Sequence, residues 1–137
     1  MTSAIAGFRR AIEGGTPNSL ADLFAGDVVL RSPAVIESAY PGRDLVATTL
    51  GLALETLRDL RVVDQLASPD GSTQALIVEG QVTRYRLQGC FYLRVNEAGL
   101  IVDVTFMLRP LHAVEALVSA MAAKGAQPAL DLEAGGE

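Results

Sequence analysis

Few residues of this chain carry the chemistry of an active site. There is one histidine, His112, and one cysteine, Cys90. That pair is too small for a zinc site, and no glycine-rich phosphate loop occurs. Ser32, followed by Pro33, is a nucleophile by residue type, but no His or Lys stands at a recognisable spacing to activate it. His112 falls in the first turn of an expected last helix, where it reads as a surface or packing residue before a general base. Tyr40 either brings a hydroxyl to the mouth of a pocket or packs on a turn. Glu79 sits among Leu76, Ile77 and Val78, so it is solvated or paired across a sheet. Asp103 alternates with Ile101, Thr105 and Met107, opposite Val102, Val104, Phe106 and Leu108. If the second set faces inward, Asp103 points away from the interior. Cys90 alternates against Phe91 and reads as a packed thiol at a sheet interface.

These residues must be placed by a small number of elements. Ile5, Phe8 and Ile12 recur at helical spacing, and Gly14-Gly15 ends that helix. Thr16-Pro17 reads as a cap and first residue of a second helix, with Leu20, Leu23 and Phe24 inward and Gly26 at its end. Asp27 to Ser32 is expected as a strand, and 33–42 as a loop. A third helix follows Gly42, with Val46, Leu50, Leu54 and Leu57 on one face. The period then changes to two, giving strands near 59–67, 73–84, 88–97 and 100–109. Ser68-Pro69-Asp70-Gly71 and Asn96-Glu97-Ala98-Gly99 are turn sequences between them. Short connections imply antiparallel pairing. Pro110 opens a last helix with Leu111, Val114, Leu117, Val118 and Met121 inward, ended by Gly125. Residues 126–137 have no period and read as a loose acidic tail.

The 137 residues are half apolar, enough for one domain, expected over 1–125, and too short for two. Eleven basic residues face sixteen acidic ones; without Asp131, Glu133 and Glu137 the balance is thirteen acids to eleven bases. A nearly neutral body with no basic stripe argues against nucleic acid as a partner. No apolar run is long enough to cross a membrane, and Met1 to Arg10 lacks the pattern of a secretion signal. A single cysteine allows no disulfide within the chain, which fits the cytoplasm. The expected fold is α+β: a cone-shaped, curved, mainly antiparallel sheet wrapped around the N-terminal helices, plus a C-terminal helix. A ligand cavity belongs between sheet and helices.

The segments ADLFAGDVVLRSP (21–33), AYPGRD (39–44) and LRVNEAGLIVDVTFMLRP (93–110) resemble, in order and spacing, the nuclear transport factor 2-like superfamily and its SnoaL-like branch. That superfamily holds polyketide cyclases, ketosteroid isomerases, epoxide hydrolases and non-catalytic binding domains, so the fold does not choose a function. The resemblance puts Ser32 where the isomerases hold their general base, an Asp before Pro. It puts Phe8 and Phe91 where they hold the two oxyanion donors. A phenyl ring donates no hydrogen bond. The Arg and Asp spaced two apart that the epoxide hydrolases use is not found around Arg84, Arg86 or Arg94.

The expected function is therefore small-molecule binding in an apolar cavity for flat hydrophobic ligands, without cofactor or metal. Phe8, Ser32, Tyr40, Val78, Phe91, Leu93, Val104, Phe106 and Leu108 are the expected pocket residues. The alternative is a SnoaL-like enzyme of cyclase, isomerase or hydrolase type acting on a polyketide or other apolar carbonyl compound through Ser32, Tyr40 or His112. A third reading is a ligand-free dimeric interaction domain. A homodimer is expected through the outer sheet face, where Ile77, Cys90, Tyr92, Ile101 and Met107 are apolar and Glu79, Thr83, Arg94, Asp103 and Thr105 would fix the register.

Overall fold

The computed structural model describes residues 3–14, 17–33 and 39–124. Helix α1 (Ala4–Gly14) opens on Ser3, whose Oγ accepts the N–H of Ala6 at 3.0 Å and caps the first turn. Its buried face is Ile5, Phe8, Ala11 and Ile12. A 3-10 helix (Pro17–Leu23) leads into strand β1 (Phe24–Arg31). Then come β2 (Tyr40–Pro41), α2 (Arg43–Thr56), β3 (Arg58–Ala67), β4 (Thr73–Val82), β5 (Tyr85–Val95), β6 (Ile101–Arg109) and α3 (Leu111–Ala123). The strands form one curved, open, mixed sheet in the order β2-β1-β6-β5-β4-β3. Only β1 and β6 run parallel; the other neighbours are antiparallel. The helices cover one face, and the core lies between them and that face.

Both expected turns form. Gly71 and Gly99 supply the positive φ of their turns, at 76° and 85°. In the first, the backbone N–H and hydroxyl of Ser72 and the hydroxyl of Ser68 all donate to Asp70, and these bonds hold its carboxyl below its ordinary value.

Four readings need correction. The second helix is a 3-10 helix that stops at Leu23, and Phe24 through Gly26 belong to β1. Pairing of Phe24 with Ile101 draws the chain into the sheet early, and a bulge before the Val29–Asp103 pair absorbs the extra residues. The expected loop at 33–42 contains the two-residue strand β2, paired to β1 through Leu30–Tyr40. Ile101 is not on the outer face: Arg94 pairs with Asp103 but Val95 pairs with Ile101, so Val102 is the extra residue of a bulge. That insertion turns Ile101 into the core, where it is fully buried. Lastly, α3 buries Ala113, Leu117 and Met121, while Leu111 is 71 % exposed. His112, Glu115 and Ser119 share one side of this helix with Leu111 next to them, and the buried stripe lies opposite. Gly125 and the tail at 126–137 lie outside the described residues.

Helix α1 bonds to the edge strand β3 at two points. The Val62 N–H donates to Glu13 Oε2 at 3.0 Å, and Arg9 Nη1 donates to Gln65 Oε1 at 2.7 Å. A helix side chain thus occupies a backbone donor that would otherwise face a second strand.

Candidate functional site

Alternation and register assemble the aromatic interior. Leu76, Phe91 and Phe106 stand in one row across β4, β5 and β6; Val78, Gly89 and Leu108 form the next. Leu93 pairs with Val104 one row further on. Phe8 reaches this surface from α1, and its ring meets Phe91 edge-on at 5.2 Å. Phe91 in turn stacks on Phe106, with centroids 4.2 Å apart and planes 8° from parallel. Phe8, Val78, Phe91, Leu93, Val104 and Phe106 are buried, and Leu108 is half-buried against them. Gly89 makes the flat stack possible: a Cβ there would stand 2.9 Å from Phe106 Cε1 and 2.8 Å from the Met107 carbonyl oxygen. The three rings pack on one another, Phe91 between the other two. They offer C–H groups and π faces, with no hydrogen-bond donor or titratable group among them.

The polar candidates are spread around this cluster. Ser32 follows the last residue of β1, with Val28 and Leu30 before it on the buried face, and is partly exposed. Tyr40 is buried in the core beside β1. His112 is exposed on the first turn of α3, its ring 4.8 Å from that of Tyr85, over which the Arg84 guanidinium also lies. The structure therefore brings the expected apolar wall together and leaves His112 outside it. Asp103 faces away from the interior, as alternation implies: it accepts from Arg31 Nη1 and Thr105 Oγ1, and Arg94 stands at 3.7 Å. Cys90 is half-buried on the outer face, and burial pushes its thiol up. Among the described residues no group of three or more His, Cys, Asp or Glu is placed to hold a metal ion. Among the described residues no helix is long and apolar enough to cross a membrane.

A different set of residues lines an open cleft of about 500 Å³. Asp59, Arg61, Glu79, Gln81, Arg86, Gln88 and Arg109 border it at one end of the outer face. None of these was legible as a site from the residues alone. Each is a single polar residue on a strand, and only the cross-strand register gathers them. The alternation of Arg86 and Gln88 against Leu87 was the available signal, and it says only which side of the sheet they share.

No protein-family model matches this chain, and no curated protein matches it. Solved structures do. A steroid delta-isomerase from Pseudomonas aeruginosa is 30 % identical, with 90 % of each chain covered and a TM-score of 0.83. An uncharacterized protein conserved in bacteria with a cystatin-like fold, from Silicibacter pomeroyi, is 28 % identical over 95 % of this chain and 90 % of that one, at a TM-score of 0.82. A computationally designed 17-OHP binder shares the fold at 20 % identity, covering 82 % of this chain and 98 % of that one, with a TM-score of 0.62. The chain belongs to the nuclear transport factor 2-like superfamily.

Proposed function

We propose that this protein binds flat, mostly apolar small molecules against the Phe8–Phe91–Phe106 wall and does not perform the isomerase reaction of its steroid delta-isomerase relative. The observation that carries the reading is the edge-on contact of Phe8 and Phe91 at 5.2 Å. The two positions that the resemblance assigns to the oxyanion donors are neighbours in space, as such donors must be, yet both are phenyl groups. A developing oxyanion there would meet ring edges in place of O–H donors, and an oxyanion-hole donor is worth roughly 3–4 kcal/mol of barrier. The third position, Ser32, is a hydroxyl where a carboxylate base would be needed.

A ligand at this wall gains by burial. About 300 Å² of apolar area removed from water contributes roughly 7–8 kcal/mol before ordering costs, so micromolar binding needs few hydrogen bonds. Val78, Leu93, Val104 and Leu108 extend the apolar surface, and Ser32 and Tyr40, the polar members of the expected pocket, would supply a contact. The designed 17-OHP binder of the same fold supports ligand binding as a use of this architecture. A half-buried lone thiol suits a reducing cytoplasm, and the absence of a basic stripe argues against nucleic acid.

The experiment pairs two readouts. In a thermal-shift panel of steroids, aromatic polyketides and fatty acids, a planar apolar compound raises the melting temperature of the wild type, and Phe91→Leu, which keeps the core apolar, weakens that compound several-fold. In parallel, a steroid β,γ-enone gives no rise in absorbance of its conjugated product. No apolar hit, or a hit indifferent to Phe91→Leu, removes the binding reading and favours a ligand-free interaction domain. Robust conversion removes the non-catalytic reading. It favours the enzyme alternative, which the 30 % identity to the isomerase supports, with Ser32, Tyr40 or His112 as the residues to substitute next.

A further inference from the structure

On the sheet face away from the helices, Arg61, Glu79, Gln88 and Arg109 stand in one register row across β3, β4, β5 and β6. Arg61 Nη2 donates to Glu79 Oε1 at 2.9 Å, Gln88 Nε2 to Glu79 Oε2 at 3.4 Å, and Arg109 Nη1 to Gln88 Oε1 at 2.7 Å. The next row is Arg58, Gln81 and Arg86, in which Arg58 Nη2 donates to Gln81 Oε1 at 3.1 Å. The acceptors of both rows are therefore engaged. Glu79 serves Arg61 and Gln88, Gln81 serves Arg58, and Gln88 serves Arg109. Arg58, which does not line the cleft, is bonded to the Gln81 amide and the Thr83 carbonyl, and two guanidinium groups without an acid partner line the cleft itself. Arg86 is exposed and makes no hydrogen bond or ion pair among the described residues, and Arg109 is bonded there to a neutral amide alone. Because Gln88 pairs with Arg109, Arg86 is the diagonal neighbour of Arg109, about 7–8 Å away between backbones, within reach of two long side chains. Both line the same cleft of about 500 Å³, as does Asp59.

We propose that this cleft is a second binding site, distinct from the aromatic interior, that takes a small molecule through an oxyanion, carboxylate or phosphate, held by Arg86 and Arg109. A guanidinium fork matches two oxygens of such a group. The bond that Arg109 donates to Gln88 already orients its guanidinium, so less side-chain freedom is lost on binding. The cleft has the size of a small-molecule site. Asp59 sets the second requirement: the ligand carries a hydroxyl or ammonium donor beside its anionic group, and a ligand of several negative charges is disfavoured.

The test is a titration of the full, isotope-labelled chain at constant ionic strength, with chloride as the balancing ion and inorganic phosphate or acetate as the probe. The arginine Nε–H resonances are followed. The expected result is a saturable shift of Arg86 and Arg109 while Arg9 and Arg31 stay still. Arg86→Gln, at an exposed position without partners, should fold normally and weaken the dissociation constant at least tenfold. Asp59→Asn should tighten it. Saturation by both probes supports general oxyanion recognition, and saturation by one alone narrows the site to phosphate or to carboxylate. Unsaturable shifts shared by all arginines, or an unchanged dissociation constant in Arg86→Gln, overturn the proposal.

Discussion

At the scale of single residues, the interior is governed by a glycine as much as by its rings. Phe106 lies flat over Gly89, and only so can it stack on Phe91 at 4.2 Å while Phe91 receives the edge of Phe8. Gly89→Ala should therefore cost about 1–3 kcal/mol, because the new methyl meets a backbone carbonyl that cannot yield as well as a ring that can. Urea unfolding measures this, and adding Phe106→Leu should relieve the ring conflict and leave the carbonyl conflict. If Gly89→Ala is neutral, the close approach of β5 and β6 at this row is not what places the stack. The same scale explains the chemistry that is missing. The difference between a donor and a spectator at positions 8 and 91 is a single hydroxyl or carboxyl per side chain, and no change of backbone is needed to lose it.

At the scale of elements, the hairpin between β4 and β5 is the least expected piece of the fold. It turns through Thr83 and Arg84, with Thr83 at φ 50° and neither Gly, Asn nor Asp present. A β-branched residue there is strained, by roughly 1–2 kcal/mol. The backbone carbonyl of Thr83 accepts from Arg58 Nη2 at 2.6 Å, and full pairing from Val82–Tyr85 onward holds the turn in place. Thr83→Gly keeps that carbonyl and removes the strain, so it should raise the denaturation midpoint, with a net gain of about 0.5–1 kcal/mol after the added entropy of an unfolded glycine. A lowered midpoint would show that the Thr83 side chain itself supports the turn. The bulge at Val102 acts in the opposite sense: one inserted residue carries Ile101 from the outer face into the core.

At the scale of the whole molecule, the outer face of the sheet is banded. Moving along the strands, the arginine-rich rows come first. Ile77, Cys90 and Met107 follow in one register row, then Ala75, Tyr92 and Thr105, then Thr73, Arg94 and Asp103. Met107 is 51 % and Tyr92 38 % exposed. We propose this apolar band as the interface of a homodimer, with Ile77 and Cys90 beside them and Arg94, Asp103 and Thr105 at the rim. Ile101 and Thr83, expected on this surface, are not part of it: one is in the core and the other in the hairpin turn. Light scattering at tens of micromolar should give twice the 14.4 kDa of one chain. Met107→Arg should return it to one chain with its secondary structure intact. Dimerisation should also slow alkylation of Cys90, whose thiol burial already pushes up. A wild type that stays monomeric leaves the band solvated and ends this reading.

Hydrophobic period and turn chemistry determined much of this protein on their own. Phe8 on the first helix, the alternation that sets Phe91 and Leu93 against Cys90 and Tyr92, and the Asp70-Gly71 and Asn96–Gly99 turns are local facts, and local spacing is enough to read them. The inward set Val104, Phe106 and Leu108 follows the same way. What depends on a partner strand could not be read so. The shift of Ile101 needs the register between β5 and β6, and the end of the second helix at Leu23 needs Ile101 waiting across the sheet for Phe24. The arginine cleft is the clearest case. Arg61, Glu79, Arg86 and Arg109 come from four strands, separated along the chain by hairpins whose register no local period encodes. Only pairing decides which acid neutralises which base, and that Arg86 and Arg109 meet in the cleft without one.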